Sequence, residues 1–270
     1  VERSRGLGDV DKRQAPASPI GAADAWIDAA RAHPGELVGL VTGPLTSLAT
    51  AVRRDPQLPS LLRRLVIMGG AFHTHGNTTP VAEWNVAVDP EAAAEVFDAF
   101  GIGDAPAPIV CALDLTETIA MTPDHLVRLA AAAGSTPLEY PDPGDETGLR
   151  SVADNPVVRH LTDAVRFYFE FHDLHDEGYI AHMHDPFAAM VAIAPDIVTT
   201  VGARVSVELT GTHTRGMTVA DERSMTPGAP NARIATATDV DAVFDELLER
   251  IGAFAKTVMP ESTSSSHRTP

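Results

Sequence analysis

The 270 residues carry 37 acidic against 20 basic side chains, a net charge of −17, with 44% hydrophobic and 5% aromatic residues. That charge repels phosphate and disfavours duplex DNA or an anionic membrane as the main partner, and the apolar content excludes wholesale disorder. The length suits one α/β domain with a large core, and the single cysteine, Cys111, excludes a disulfide framework or a cysteine-built zinc site.

In chain order, residues 1–20 read as polar loop. Apolar positions at helical spacing predict a helix over 22–31. Residues 37–42 are a nearly continuous apolar run, as in a buried parallel strand. Pro44 then opens a helix carrying Leu45, Leu48, Ala49 and Val52 on one stripe. The next strand is 65–68, closed by Gly69-Gly70. Residues 71–88 read as a long polar loop, the length that usually carries function. Asp89-Pro90-Glu91 caps a helix with the stripe Ala92, Ala93, Val96, Phe97 and Phe100.

A strand is predicted over 109–113, then a helix from Thr122-Pro123-Asp124 that Gly134 can end. Residues 135–156 are rich in Pro and Gly and read as flexible. Residues 157–175 are helical again, and Asp185-Pro186 opens an apolar helix to about Ala194. Three short β-like runs follow, at 204–209, 216–221 and 233–237. Residues 239–254 form an amphipathic closing helix. One domain over 1–258 is expected, with a disordered tail at 259–270. The alternation of strands and helices predicts an α/β fold with a mainly parallel open sheet flanked by helices. Ligands bind such sheets beyond the C-terminal strand ends, which puts Thr42-Gly43, Gly69-Gly70 and Asp114 on one rim. No apolar run reaches the ~18 residues of a membrane span, and no signal-type apolar stretch follows residues 1–5, so a cytoplasmic protein is expected.

Three segments have chemical content. Behind Met68-Gly69-Gly70, the loop gathers Asn77, Glu83 and Asn85. Amides with a carboxylate suit a polyhydroxylated ligand, because hydroxyls donate to the acid and both donate to and accept from amides; Asn and Gly equally serve ordinary turns. In His182-Met183-His184-Asp185-Pro186, Asp185 stands where an N-cap belongs and His184 just before the helix. Alternatively, Asp185 ligates a hard cation and His184 is an acid or hydrogen-bond donor. Two histidines could suggest zinc, but no further ligand motif supports it. The strand-end carbonyls of Thr42-Gly43 suit calcium. Walker A, GxSxG and strand-borne GxGxxG patterns are absent; Gly6-Leu7-Gly8 is too short to count.

Five stretches in this order resemble the nucleoside hydrolase family of the inosine/uridine-preferring type: LVTGPLTSLA at 40–49, LVIMGGAF at 65–72, GNTTPVAEWNVAVDPEAAAEVF at 76–97, ALDLTET at 112–118 and HDPFAA at 184–189. GMTVADER at 216–223 and the segment 230–251 are similar to its C-terminal part. The resemblance implies hydrolysis of the N-glycosidic bond of a ribonucleoside, with Ca²⁺ as cofactor. By matching position, Thr42 (through its carbonyl) and Asp185 would be metal ligands. Asn77, Glu83 and Asn85 would hold ribose hydroxyls, with Met68 packing nearby. Glu83 would stabilise the sugar cation of an oxocarbenium-like transition state, and His184 would face the leaving base. Aromatic and histidine residues in 167–179 would wall off the base. The implied partner is a small nucleoside, without nucleic acid or membrane, and the implied assembly is a homo-oligomer, a dimer or tetramer.

The sequence departs from the family at one place. The Asp-x-Asp-x-x-x-Asp-Asp motif, which supplies most metal carboxylates and the water-activating base, does not occur. Asp9-Val10-Asp11 imitates its first half but follows no apolar strand and lacks the Asp pair. Residues 5–9 instead resemble a later family segment, with Glu2 where histidine is usual. The first βα units are therefore expected to be missing from these 270 residues, and hydrolysis by them alone is expected to be impaired. A non-catalytic ribose-binding or structural remnant of the same fold is the alternative.

Overall fold

The computed structural model describes residues 19–223 and 229–258. The readings made on residues 1–18, including Asp9-Val10-Asp11 and Gly6-Leu7-Gly8, and on the tail at 259–270 lie outside them.

The central strands arise where apolar residues predominate, and the last three where β-branched and apolar residues are interspersed with polar ones. These are β1 (Val38–Val41), β2 (Arg64–Met68) and β3 (Ile109–Cys111), followed by the short β4 (Ala120–Met121) and β5 (Ala181–His182), then β6 (Val198–Val207), β7 (Thr218–Asp221) and β8 (Ala232–Thr238). Six of them form one sheet in the order β1-β2-β3-β8-β6-β7. β1, β2, β3 and β8 are parallel, whereas β6 runs antiparallel to β8 and β7 antiparallel to β6. The sheet is thus mixed but mostly parallel, as the alternating pattern predicts. Its register sets Val41 beside Ile67 and Met68 beside Cys111. Thr42, Gly69 and Ala112, the residues after the three strands, therefore share one rim.

Period-two alternation along β2 feeds two cores. Leu65 and Ile67 pack with Leu45, Leu48, Phe97 and Phe100 on one face. Val66 and Met68 pack with Cys111, Leu113, Phe169, Phe187 and Phe244 on the other. The first face is covered by α1 (Ala22–Ala32), α2 (Thr46–Arg54), the short α3 (Leu58–Leu61) and α5 (Pro90–Ala99). The second is covered by α7 (Pro123–Ala133), α8 (Pro156–Leu174), α9 (His184–Ile193) and α10 (Val240–Thr257); α4 (Trp84–Val88) and α6 (Leu113–Thr116) sit at the rim. At Gly39, on β1, a Cβ would come within 2.8 Å of the Trp26 ring, so glycine is required for α1 to lie on the strand. Cys111 is a buried core thiol, and burial pushes its pKa up to about 12.

Several boundaries differ from the sequence expectation. The loop expected over 71–88 contains α4, and the strand expected to reach Leu113 ends at Cys111, giving way to α6. Both helices are a single turn, too short to leave a periodic stripe. The helix after Pro44 begins at Thr46 with Leu45 as its cap. Asp185 is not an N-cap. Met183 holds that position without a side-chain bond, and His184 is the first helical residue. The cause is tertiary: β5 pairs with β4, and the Met183 N–H donates to the Ile119 carbonyl at 2.8 Å, so the chain turns into α9 immediately afterwards. Pro186 remains in the first turn, where no N–H is needed.

Residues 135–155 form no regular element, yet their ends are pinned. Asp154 accepts from the Thr136 amide and hydroxyl and from the Ser135 hydroxyl, which hold its carboxyl down at about 2. The fully buried Asn155 then caps α8, accepting from Val157 and Val158, while its amide donates to the Ala255 carbonyl at 2.8 Å. One side chain thus closes the start of α8 and the last turn of α10. Asn155→Ala is expected to lower stability by about 1–2 kcal/mol, through a lost cap and the lost side-chain bond to the Ala255 carbonyl, which keeps the Val258 N–H at 3.1 Å. Thermal unfolding checks this; an unchanged midpoint would show that water replaces all three side-chain bonds.

Candidate active site

The rim is assembled from four pieces of chain. At the end of β2, Gly70 adopts φ +87°, and a Cβ there would lie 3.1 Å from the Thr218 hydroxyl. This is a close approach that glycine permits. Thr218, buried on β7, accepts from the Ala71 N–H and donates to the Ala71 carbonyl, both at 2.9 Å. Asp114, on α6, accepts from the Phe72 and His73 amides at 2.9 and 2.6 Å. The loop leaving β2 is therefore held from behind by β7 and from the side by α6.

Glu83 sits under this loop at 2% exposure. It is the N-cap of α4. Its Oε1 accepts from Asn85 N at 2.8 Å, and its Oε2 accepts from Val86 N and Gly70 N at 3.1 Å each. Three amides occupy three of the roughly four lone-pair positions of a carboxylate. Burial raises its carboxyl above the ordinary 4.5, the three amides pull it back, and the Asp185 charge adds to the rise. Asn85 is also buried. Its Nδ2 donates to the Met68 carbonyl at 3.1 Å and lies 3.3 Å from the Met68 sulfur, leaving Oδ1 without a protein partner among the described residues. Asn77 is exposed, with Oδ1 accepting from Trp84 N at 2.8 Å and Nδ2 free of protein partners. Met68, Asn77, Glu83 and Asn85 are thus one cluster, with an amide donor and an amide acceptor left over.

The N-terminus of α9 forms the opposite wall. His184 Nδ1 is 2.7 Å from the Thr116 hydroxyl. Burial, then the neighbouring His182 and His172, push its pKa down to about 4. Asp185 accepts no hydrogen bond among the described residues, and burial raises its carboxyl. Its negative charge adds to the rise of the Glu83 carboxyl and of the Tyr168 hydroxyl. Along α8, Tyr168 lies tilted against His172 with ring centroids 4.4 Å apart, and His172, His182 and His184 continue the row at 5.0 and 5.5 Å.

Asp185 and the Thr42 carbonyl are hard oxygen donors at this rim, the kind calcium takes. They fit such an ion in type but supply only part of its usual ligand set. Among the described residues no three His, Cys, Asp or Glu side chains group to hold a metal. Among these residues His182 and His184 have no third ligand for zinc.

Thr218 and Thr116 escaped the sequence reading. Each acts on a residue far away in the chain, and a lone threonine in a strand or a short turn gives no local signal.

A rim of carboxylate, amides and imidazole lies beyond the ends of a mostly parallel sheet in an α/β fold, and its donors and acceptors are of the kind that suits a polar, hydroxylated small molecule. The profile of the inosine-uridine preferring nucleoside hydrolases matches residues 1–245, and the chain belongs to that family. It is 36% identical over 216 residues to the pyrimidine-specific ribonucleoside hydrolase RihA of Salmonella paratyphi B, covering 79% of this chain and 60% of that protein. The chain therefore spans about three fifths of the length of the curated relatives it matches. A plant nucleoside hydrolase superposes with a TM-score of 0.75 at 26% identity, over 91% of this chain and 72% of the other. The purine-preferring ribonucleoside hydrolase from Gardnerella vaginalis gives 0.75 and 26%, over 89% and 68%. Among the described residues no helix is long and apolar enough to cross a membrane.

Proposed function

We propose that this chain carries the sugar- and base-binding face of an enzyme that hydrolyses the N-glycosidic bond of ribonucleosides, giving ribose and a free base. The observation that carries the reading is the Met68–Glu83–Asn85 cluster facing His184 and Asp185 across one rim. Asn85 Oδ1 accepts from a ribose hydroxyl and Asn77 Nδ2 donates to one. The remaining lone pair of Glu83 takes a third contact, and its negative charge favours the positive charge that grows on the sugar as the bond to the base breaks. His184 faces the departing base and offers it a hydrogen bond. The aromatic row on α8 screens the bond from bulk water.

Ca²⁺ would be held by the Thr42 carbonyl and the Asp185 carboxylate, where a bound ion would orient the attacking water and lower its pKa. The described residues contribute a single carboxylate to it, so turnover by residues 1–270 alone is expected to be slow. RihA is pyrimidine-specific by name and the Gardnerella enzyme purine-preferring; the proposal accordingly stops at ribonucleosides.

Calorimetric titration with inosine, uridine and their 2′-deoxy counterparts, alongside ribose release, tests the reading. Binding of ribonucleosides is expected, with the deoxy forms at least about tenfold weaker for want of one hydroxyl contact. Equal affinity for free base and nucleoside would sink it, and tight binding with no turnover at all would favour a binding module. Calcium is expected to raise the melting temperature of the wild type by mass action, and to leave Asp185→Asn unmoved. Identical calcium shifts in the two proteins would remove Asp185 from the ion.

A further inference from the structure

What His184 can do at the rim depends on which of its ring nitrogens carries the hydrogen. Nδ1 lies 2.7 Å from the Thr116 hydroxyl. Thr116 is fully buried at the end of α6. Among the described residues that nitrogen is the hydroxyl's one hydrogen-bond partner. The carbonyl a turn earlier, on Ala112, accepts the backbone amides of Leu115 and Thr116, and the hydroxyl does not reach back to it.

Two arrangements satisfy the 2.7 Å contact. If the ring donates from Nδ1, the hydroxyl hydrogen is buried without an acceptor. If the hydroxyl donates to Nδ1, its hydrogen is satisfied and only oxygen lone pairs are left over. Buried donors without acceptors are much rarer than acceptors with a lone pair to spare, because the bare hydrogen loses its whole interaction with water. The second arrangement wins. Nε2 then carries the ring hydrogen. It has no partner among the described residues and is not among the sealed, unpartnered side-chain atoms, which include Nδ1 of the neighbouring His182.

We infer that Thr116 is a positioning residue: its hydroxyl donates to Nδ1 of His184 and holds the imidazole in the tautomer that presents Nε2–H to the cleft. Its consequence for catalysis rests on the nucleoside-hydrolysing reading above. An Nε2–H group gives a hydrogen bond to a ring nitrogen or carbonyl oxygen of the departing base as negative charge collects there. The opposite tautomer would turn a lone pair toward the same atom and repel it. The ring acts by a hydrogen bond that is in place before the bond to the sugar breaks.

Long-range ¹H–¹⁵N correlation on ¹⁵N-histidine protein, recorded where the rings are uncharged, reads the tautomer without turnover; loss of one signal set in His184→Gln assigns it. The expected wild-type spectrum has a pyridine-like Nδ1 and a pyrrole-like Nε2. Thr116→Val, which keeps the shape and removes the hydroxyl, is expected to move the signals toward a mixture, and Thr116→Ser to restore them. A wild-type Nδ1–H, or a Thr116→Val spectrum identical to wild type, overturns the inference. In turnover, Thr116→Val is expected to lower kcat for ribonucleosides about tenfold with little change in KM. The same variant should leave hydrolysis of p-nitrophenyl riboside unchanged, since that leaving group needs no help; equal losses on both substrates would reduce Thr116 to a packing residue. The expected tautomer in a protein that hydrolyses no nucleoside would uphold the positioning role and sink the functional reading.

Discussion

Gly76→Ala is expected to abolish tight nucleoside binding while leaving most of the fold intact. A Cβ at Gly76 would run into the backbone nitrogen and oxygen of Ala82 and the carbonyl oxygen of Thr79. No positive φ is involved; the reason is that the loop closes on itself here. The Gly76 N–H donates to the Pro80 carbonyl at 3.2 Å, Thr78 N–H to the Ala82 carbonyl at 3.2 Å, and Ala82 N–H to the Thr79 hydroxyl at 3.0 Å. Because the obstructing atoms are main chain, no side chain can swing aside. The loop must open, and its two ends carry Asn77 and Glu83. A displacement of ~1 Å in such a site costs on the order of 10²-fold, and that is the expected loss of affinity for inosine or uridine. The fluorescence of Trp84, whose N–H bonds to Asn77, should change with it. Wild-type affinity in Gly76→Ala would mean that Asn77 and Glu83 do not act together on the ligand.

Glu83→Ala is expected to cost stability as well as binding. It strips the acceptor from three amides, Gly70, Asn85 and Val86. Leaving such donors unpaired costs about 3 kcal/mol in sum after partial rehydration, equivalent to a fall of roughly 6–12 °C for a chain of this size. A pH signature distinguishes this carboxylate from an ordinary cap. Burial holds its folded-state pKa above the ordinary 4.5. The folded state therefore retains the proton more strongly than the unfolded state. The associated stability is fully present below the ordinary value and is lost as pH rises through the raised one. Calcium-free wild type should lose stability across that window, and Glu83→Gln should lack this component. Superimposable pH–stability curves for the two proteins would show that the buried acid does not titrate abnormally.

Much of the fold was legible because local chemistry and tertiary structure agree. Asp89, Thr122 and Asp239 cap the helices the sequence assigns to them, and Gly134 ends its helix in the left-handed conformation. The central strands announce themselves as apolar runs. The Asp-Pro pair at 185–186 misled because it copies the pair at 89–90, whereas strand pairing of the preceding residues decides where α9 begins. The density of Asn77, Glu83 and Asn85 was visible in sequence. What was not visible is that Glu83 is bound up with three amides, since that depends on how α4 meets the end of β2. Thr116 and Thr218 were illegible for the same reason: their partners stand 68 and 147 residues away.

That last separation bears on the order in which the protein can be made. The rim loop belongs to the first third of the chain, but Thr218, which braces it at Ala71, is synthesised 147 residues later. β3 likewise waits for β8, pairing Ile109 with Arg233. At about 5–20 residues per second, the rim loop is exposed on the ribosome for roughly 7–30 s before its support exists. Through that interval β3 is an open sheet edge, and Glu83 has only its local amides to hold it. A nascent chain stalled before residue 218 should therefore engage chaperones and be cut within residues 71–83, and one released beyond β8 should resist both.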